Sequence, residues 1–149
     1  MVLAPAGVGR SRMTFAVNLA ALANADLITN RVFGFKGRIL AVNFLVLQAA
    51  VAGGKAATLT VRLVSGGTPV SLTGGVVALT SANCTPAGVT VPGTAVTGLN
   101  LFGAADGLTV TGSAVTVFTE GAGQLEIDIV NDDTLNTLAR QGILFNINP

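Results

Sequence analysis

From Met13 the chain alternates. Phe15, Val17 and Leu19 are separated by Ala16 and Asn18, with Thr14 ahead of them. A period of two places one set of side chains on one face of a strand, so a first strand is predicted from Met13. The alanine-rich stretch 19–27 fits the opening of a helical turn as well as a loop. A second strand is predicted over 28–35. A long apolar one follows over 38–48, where β-branched residues and Phe44, set between Gly37 and Gly53, favour a buried strand over a helix. The alternation is clearest over 57–64. There Leu59, Val61 and Leu63 face one way, Thr58, Thr60 and Arg62 the other, and Ser65-Gly66-Gly67 closes the strand.

Shorter pieces continue the rhythm. Residues 70–72 and 76–80 flank a predicted turn at Gly74-Gly75, 89–91 and 95–96 flank Pro92-Gly93, and 108–110 and 114–118 flank Gly112-Ser113. After Gly121-Ala122-Gly123, Leu125, Ile127 and Ile129 are predicted inward, with Gln124, Glu126 and Asp128 outward. Asn131-Asp132-Asp133 reads as a turn that can cap a short helical turn through Leu138, and 143–147 reads as a closing strand. Many short strands at near-regular spacing, with glycine turns and no long helix, predict an all-β fold: an antiparallel β-sandwich, jelly-roll-like. Residues 1–12, with two arginines at Arg10 and Arg12, read as a flexible N-terminal arm ahead of a single sandwich domain over 13–149.

Composition narrows the class. Half of the 149 residues are hydrophobic, but only 10% are charged, far below the roughly 25% of an ordinary soluble domain. A net charge of +1 argues against nucleic acid as a partner, because phosphate binding needs a clustered basic surface. So sparse a charge favours self-association or docking on another protein. The most apolar window, 38–53, is interrupted by Asn43 and Gln48 and is too short to span a bilayer, so no membrane partner is expected. The opening MVLAPAGVGRSR has no secretory pattern, and the chain reads as soluble.

The residues also limit the chemistry. No histidine is present, which removes every Cys–His and Ser–His arrangement. Cys84 is the only cysteine, and an unassisted thiol is only a few per cent ionised at about pH 7. It reads as a small packed residue, with no internal disulfide available. Glu126 and Asp128 sit on an outward face, where carboxylates are ordinarily solvated, and sugar cleavage would lack Tyr and Trp platforms. Zinc fails on ligand count, and the DIVNDD run fails the spacing of a calcium loop. The GVGRSR run lacks the Lys-Ser/Thr ending of a phosphate loop, and Asn83-Cys84-Thr85 is discounted as a glycosylation acceptor because no secretion signal accompanies it. No cofactor is expected, and the chain does not read as an enzyme. The densest basic–aromatic group is Arg31, Lys36 and Arg38 around Phe33 and Phe35. Such a group is commonly a strand with Phe inward and cations outward. Because positive charge is scarce elsewhere, Arg10, Arg12, Arg31, Phe33 and Lys36 are the candidate partner-binding residues.

The run GGVVALTSANCTPAGVTVPGTAVTGLNLFGAADGLTV, with FKGRILAV and KAATLTVRL before it, resembles the capsid decoration proteins (cement or head-fibre type) of tailed bacteriophages. The similarity covers about residues 35–132 and carries no catalytic signature; the first 30 residues and the last 15 lie outside it. The resemblance implies a structural role, as homotrimers on the outer surface of an assembled capsid where major capsid subunits meet. It further implies a virion location, with assembly in the host cytoplasm. The other class considered is a carbohydrate- or host-surface-binding module of a head spike or fibre. The absence of Trp and Tyr counts against it.

Overall fold

Alternating apolar side chains leave each strand with one face to bury, and two sheets solve this by facing each other. The computed structural model describes residues 9–132. Its strands are β1 (Arg10–Asn18), β2 (Asp26–Val32), β3 (Gly37–Gln48), β4 (Ala56–Ser65), β5 (Thr68–Thr80), β6 (Thr90–Pro92), β7 (Leu101–Phe102), β8 (Gly107–Thr116) and β9 (Ala122–Asn131). Among the described residues the helical pieces are a 3-10 turn at Leu19–Ala21 and a one-turn helix, α1 (Ser81–Cys84). No described helix is long and apolar enough to cross a membrane.

One sheet has the order β1-β9-β3-β6, with β7 also paired to β3; the other has the order β2-β8-β4-β5. Every pairing is antiparallel. The pairs nest, with β4–β5 as the inner hairpin and β3–β6, β2–β8 and β1–β9 successively outside it. Leu59, Val61 and Leu63 on β4 and Leu125, Ile127 and Ile129 on β9 meet in the core, as the alternation predicts. On β3 the buried positions run Ile39, Val42, Phe44, Val46. The three-residue step is absorbed by a register shift between Ile39 and Ala41, where an extra residue re-phases the strand.

Three predicted turns are corrected. Gly74-Gly75 and Gly112-Ser113 lie inside the continuous strands β5 and β8. In β5, Thr60 pairs with Val76 but Arg62 with Ser71, so residues 72–75 bulge outward. The bulge bonds to the 94–98 segment through Thr73 N–H to Gly98 C=O at 2.9 Å and Gly75 N–H to Thr94 C=O at 2.9 Å. Gly74 has φ +92, and a methyl there would run into the Ala95 carbonyl. A bulge and a turn ask the same of the sequence, a residue that tolerates positive φ, so glycine alone does not tell them apart. Pro92-Gly93 does not form a hairpin either: β6 pairs with β3, and Gly93 N–H donates to Val42 C=O at 2.9 Å.

The boundary predicted at residue 12 is also corrected. Arg10 pairs with Val130 and Arg12 with Asp128, so residues 10–12 open β1 and belong to the sandwich. Residues 1–8 lie outside the described part. So do residues 133–149, with the predicted helical turn through Leu138 and the closing strand over 143–147.

The two flanks of the sandwich differ. Segment 93–100 laces one flank by bonding to both sheets: to β5 as above, and to β3 through Ile39 N–H to Asn100 C=O at 2.9 Å and the Asn100 amide to Ile39 C=O at 2.7 Å. The other flank, between β1 and β2, is open among the described residues. A cavity of about 270 Å³ lies there, lined by Phe15, Val17, Ile28, Leu59, Val110 and Leu125.

Candidate docking surfaces

Pairing register determines which side chains share a face of a sheet. Arg10 on β1 and Arg38 on β3 both pair with Val130 on β9, and Arg38 also pairs with Leu101 on β7. These four residues form one row on the outer face. With strands about 4.8 Å apart, the two arginine Cα atoms stand roughly 10 Å from each other. Among the described residues neither Arg10 nor Arg38 has an ion-pair partner. Two guanidinium groups on one outer row suit a partner that brings carboxylates.

Leu101 continues this row into an apolar groove lined by Leu63, Val70, Leu99 and Leu101. Leu101 is 71% exposed and Leu99 65% exposed. Leu99 also holds φ +51, in the left-handed region that a leucine rarely occupies. Its neighbours explain how. Gly98 is bonded to Thr73 of β5 and Asn100 to Ile39 of β3, so both ends are pinned and Leu99 is turned outward. The structure thus holds Leu99 in a strained conformation that presents a large apolar side chain to solvent, which makes this groove a candidate contact surface.

The five candidate residues do not form one patch. Arg10 belongs to the row just described. Arg12 is bound on its own sheet: its Nε donates to Asp128 Oδ1 at 2.6 Å, its Nη2 to Asp128 Oδ2 at 3.1 Å, and its Nη1 to Glu126 Oε2 at 2.8 Å. The bonds and charge of Asp128, with a smaller contribution from Glu126, raise the guanidinium pKa above its ordinary value. Arg31 lies on β2, with its guanidinium carbon 5.8 Å from the centre of the Phe15 ring, a cation–π contact across the open flank. Phe33 is corrected as a contact residue: it is 8% exposed. Its ring stacks on Phe102 with centroids 3.7 Å apart, and Phe35 meets both rings edge-on. This aromatic cluster anchors β7 from inside and so fixes Leu101 outside. Lys36 lies just ahead of β3, at the same end as Arg10 and Arg38, and its carbonyl accepts from Asp132 N–H at 2.9 Å.

Sequence reasoning missed the groove. Leu99 and Leu101 fall between the predicted strands 95–96 and 108–110, and only the pinned backbone on either side of Leu99 turns it out. Arg38 was visible in the basic group, but its partner across β9 is 28 positions earlier in the chain, so no local pattern links the two.

The carboxylates have structural work. Asp26 accepts from the Thr111 hydroxyl at 2.6 Å, Asp106 from Gly103 N–H at 2.7 Å, and Glu120 from Val51 and Ala52 N–H at 3.1 Å each. Glu126 and Asp128 share Arg12, which corrects the expectation that they are merely solvated; Glu126 is only 8% exposed. No group of three metal-ligating side chains occurs among the described residues. Cys84 closes α1, fully buried, and that burial pushes its thiol pKa up. A group raised in this way adds stability below the unfolded thiol's pKa and loses it as pH rises through the folded one. Native Cys84 is therefore expected to resist a thiol-specific disulfide reagent at neutral pH and to react fully in guanidinium. A fast native reaction, followed by absorbance, would show the thiol to be accessible.

The strands and their pairing define an all-β protein, a two-sheet antiparallel sandwich, a scaffold that hosts binding, structural and catalytic proteins alike. No protein-family model and no curated protein matches the chain.

Proposed function

We propose that the chain is a non-enzymatic structural protein of a virion. It binds the outer surface of a phage capsid and cements neighbouring major capsid subunits. The observation that carries this reading is the outer-face row that sets Arg10 and Arg38 on either side of the covered Val130 and runs on to the exposed Leu101 and Leu99. It combines cations that have no ion-pair partner among the described residues with exposed apolar side chains, the composition of a protein contact. The decoration-protein resemblance over about residues 35–132 supports the same role, as does the structural use of the carboxylates. The nested strand order supports the finer topology, a jelly roll. In this role the chain sits on the capsid as a homotrimer, needs no cofactor, and adds contacts that must break before the shell ruptures.

Co-sedimentation with particles of the encoding phage tests the proposal. The wild-type chain is expected to pellet with particles at a fixed copy number. The double reversal Arg10→Glu/Arg38→Glu is expected to weaken binding by at least about a hundredfold, since like-charge contacts replace favourable ones. Wild-type chain left entirely in the supernatant would end the proposal. Unchanged binding by the double variant would remove this surface from it.

A further inference from the structure

The sandwich has four sheet edges, and three are protected. The outer edge of β5 bonds to segment 94–98. The edge beside β3 is carried by β6 and β7, of three and two residues. Edge strand β2 is broken by two register shifts. β1 is different. It pairs with β9 over nine consecutive residues without a shift and contains no proline. Among the described residues nothing pairs with its outer side, and a long, regular edge of that kind is a template for another strand.

The direction of its free groups follows from two bonds. Asn131 N–H donates to Gly9 C=O, and Leu19 N–H to Gly121 C=O. In an antiparallel pair such bonds recur every second residue, so the odd positions of β1 turn their main chain toward β9. The even positions, Arg10, Arg12, Thr14, Ala16 and Asn18, turn theirs to the free edge.

We propose that β1 pairs with β1 of a second copy, antiparallel, about a twofold axis at Thr14. Three conditions select this register. Free groups meet free groups only when even positions face even positions, and a twofold at Thr14 satisfies that. It also overlaps the full strand. Finally, it sets Arg10 opposite Asn18 of the partner subunit and Arg12 opposite Ala16 of the partner subunit, so no arginine faces another. Parallel pairing in register would stack Arg10 on Arg10 and Arg12 on Arg12. On the core side, Met13 meets Phe15 of the partner subunit, beside the open flank where the cavity lies. The three central pairs exchange about six main-chain bonds, within the range of a typical protein interface. The contact joins the two five-stranded sheets, one from each copy, into one continuous sheet. It does not depend on the capsid role. Where the chain also forms trimers, a twofold contact links one trimer to the next.

The full-length chain tests this by sedimentation equilibrium and oxidative cross-linking. Ala16→Arg places a cation opposite Arg12 of the partner subunit on both sides of the axis and is expected to weaken association about tenfold, while Ala16→Glu strengthens it. Ala16 is exposed, so neither change disturbs the core. In a Cys84→Ser background, Thr14→Cys is expected to cross-link copies, because residues at the axis lie about 5.5 Å apart. Ala16→Cys is expected not to, because it is offset from itself by four residues. Equal cross-linking of the two cysteine variants would overturn the register. Association unaffected by the charge changes would overturn the contact, and so would a chain that stays single while its even-numbered β1 amides resist hydrogen exchange.

Discussion

Replacing Phe44 by alanine is expected to lower the free energy of unfolding by about 3–5 kcal/mol. Phe44 is fully buried on β3, the strand that holds one sheet together, with Leu125 on one side and Val91 on the other. Its ring lies over Gly123 of β9, where even one added methyl would run into it. The vacated space cannot close, because β3 is bonded to β9 along most of its length and to β6 and β7 opposite. The cavity therefore persists, and its cost adds to the lost transfer energy. Phe44→Leu keeps most of the volume and is expected to cost about 1–2 kcal/mol. Urea unfolding followed by far-ultraviolet circular dichroism reads both, with the midpoint falling and the slope unchanged. A loss below about 1 kcal/mol for Phe44→Ala would show that the sheets relax into the gap.

The second large effect is expected from Arg12→Met. It strips the cation from two carboxylates, one of them, Glu126, nearly buried in mid-sheet. Breaking a fully buried pair costs about 3–5 kcal/mol. The arginine side chain is 48% exposed, so water reaches the site and the expected loss is smaller, about 1–3 kcal/mol. The cause is the uncompensated Glu126, and the remedy is specific. Arg12→Met/Glu126→Gln is expected to recover roughly half of the loss, because a neutral amide needs no counter-charge. Calorimetry on the single and double variants measures the coupling. Strict additivity would show that the methionine acts by packing alone.

The strands were legible because their signal is local. Leu59, Val61 and Leu63, and again Leu125, Ile127 and Ile129, declare a buried face within a few residues of each other. What glycine does was only half legible. Gly74-Gly75 announced a backbone that needs positive φ, but whether it turns the chain or bulges a strand depends on segment 94–98, some 20 residues on. The candidate surface was less legible still. Arg10 and Arg38 were each visible as cations, but their kinship runs through Val130, far along the chain. Phe33 looked like a contact residue and is a buried prop for β7.

By itself the sequence determined that the chain builds β-strands with one face to bury, and that it has no histidine and a single cysteine. These follow from composition and from a two-residue period, which are properties of neighbours in the chain. The tertiary structure alone decided which arginine is bound on its own sheet and which has no ion-pair partner among the described residues, why Leu99 faces water, and that β1 is the long edge left unpaired among them. Each of those depends on residues distant in sequence meeting across a sheet, and a one-dimensional pattern does not carry that register.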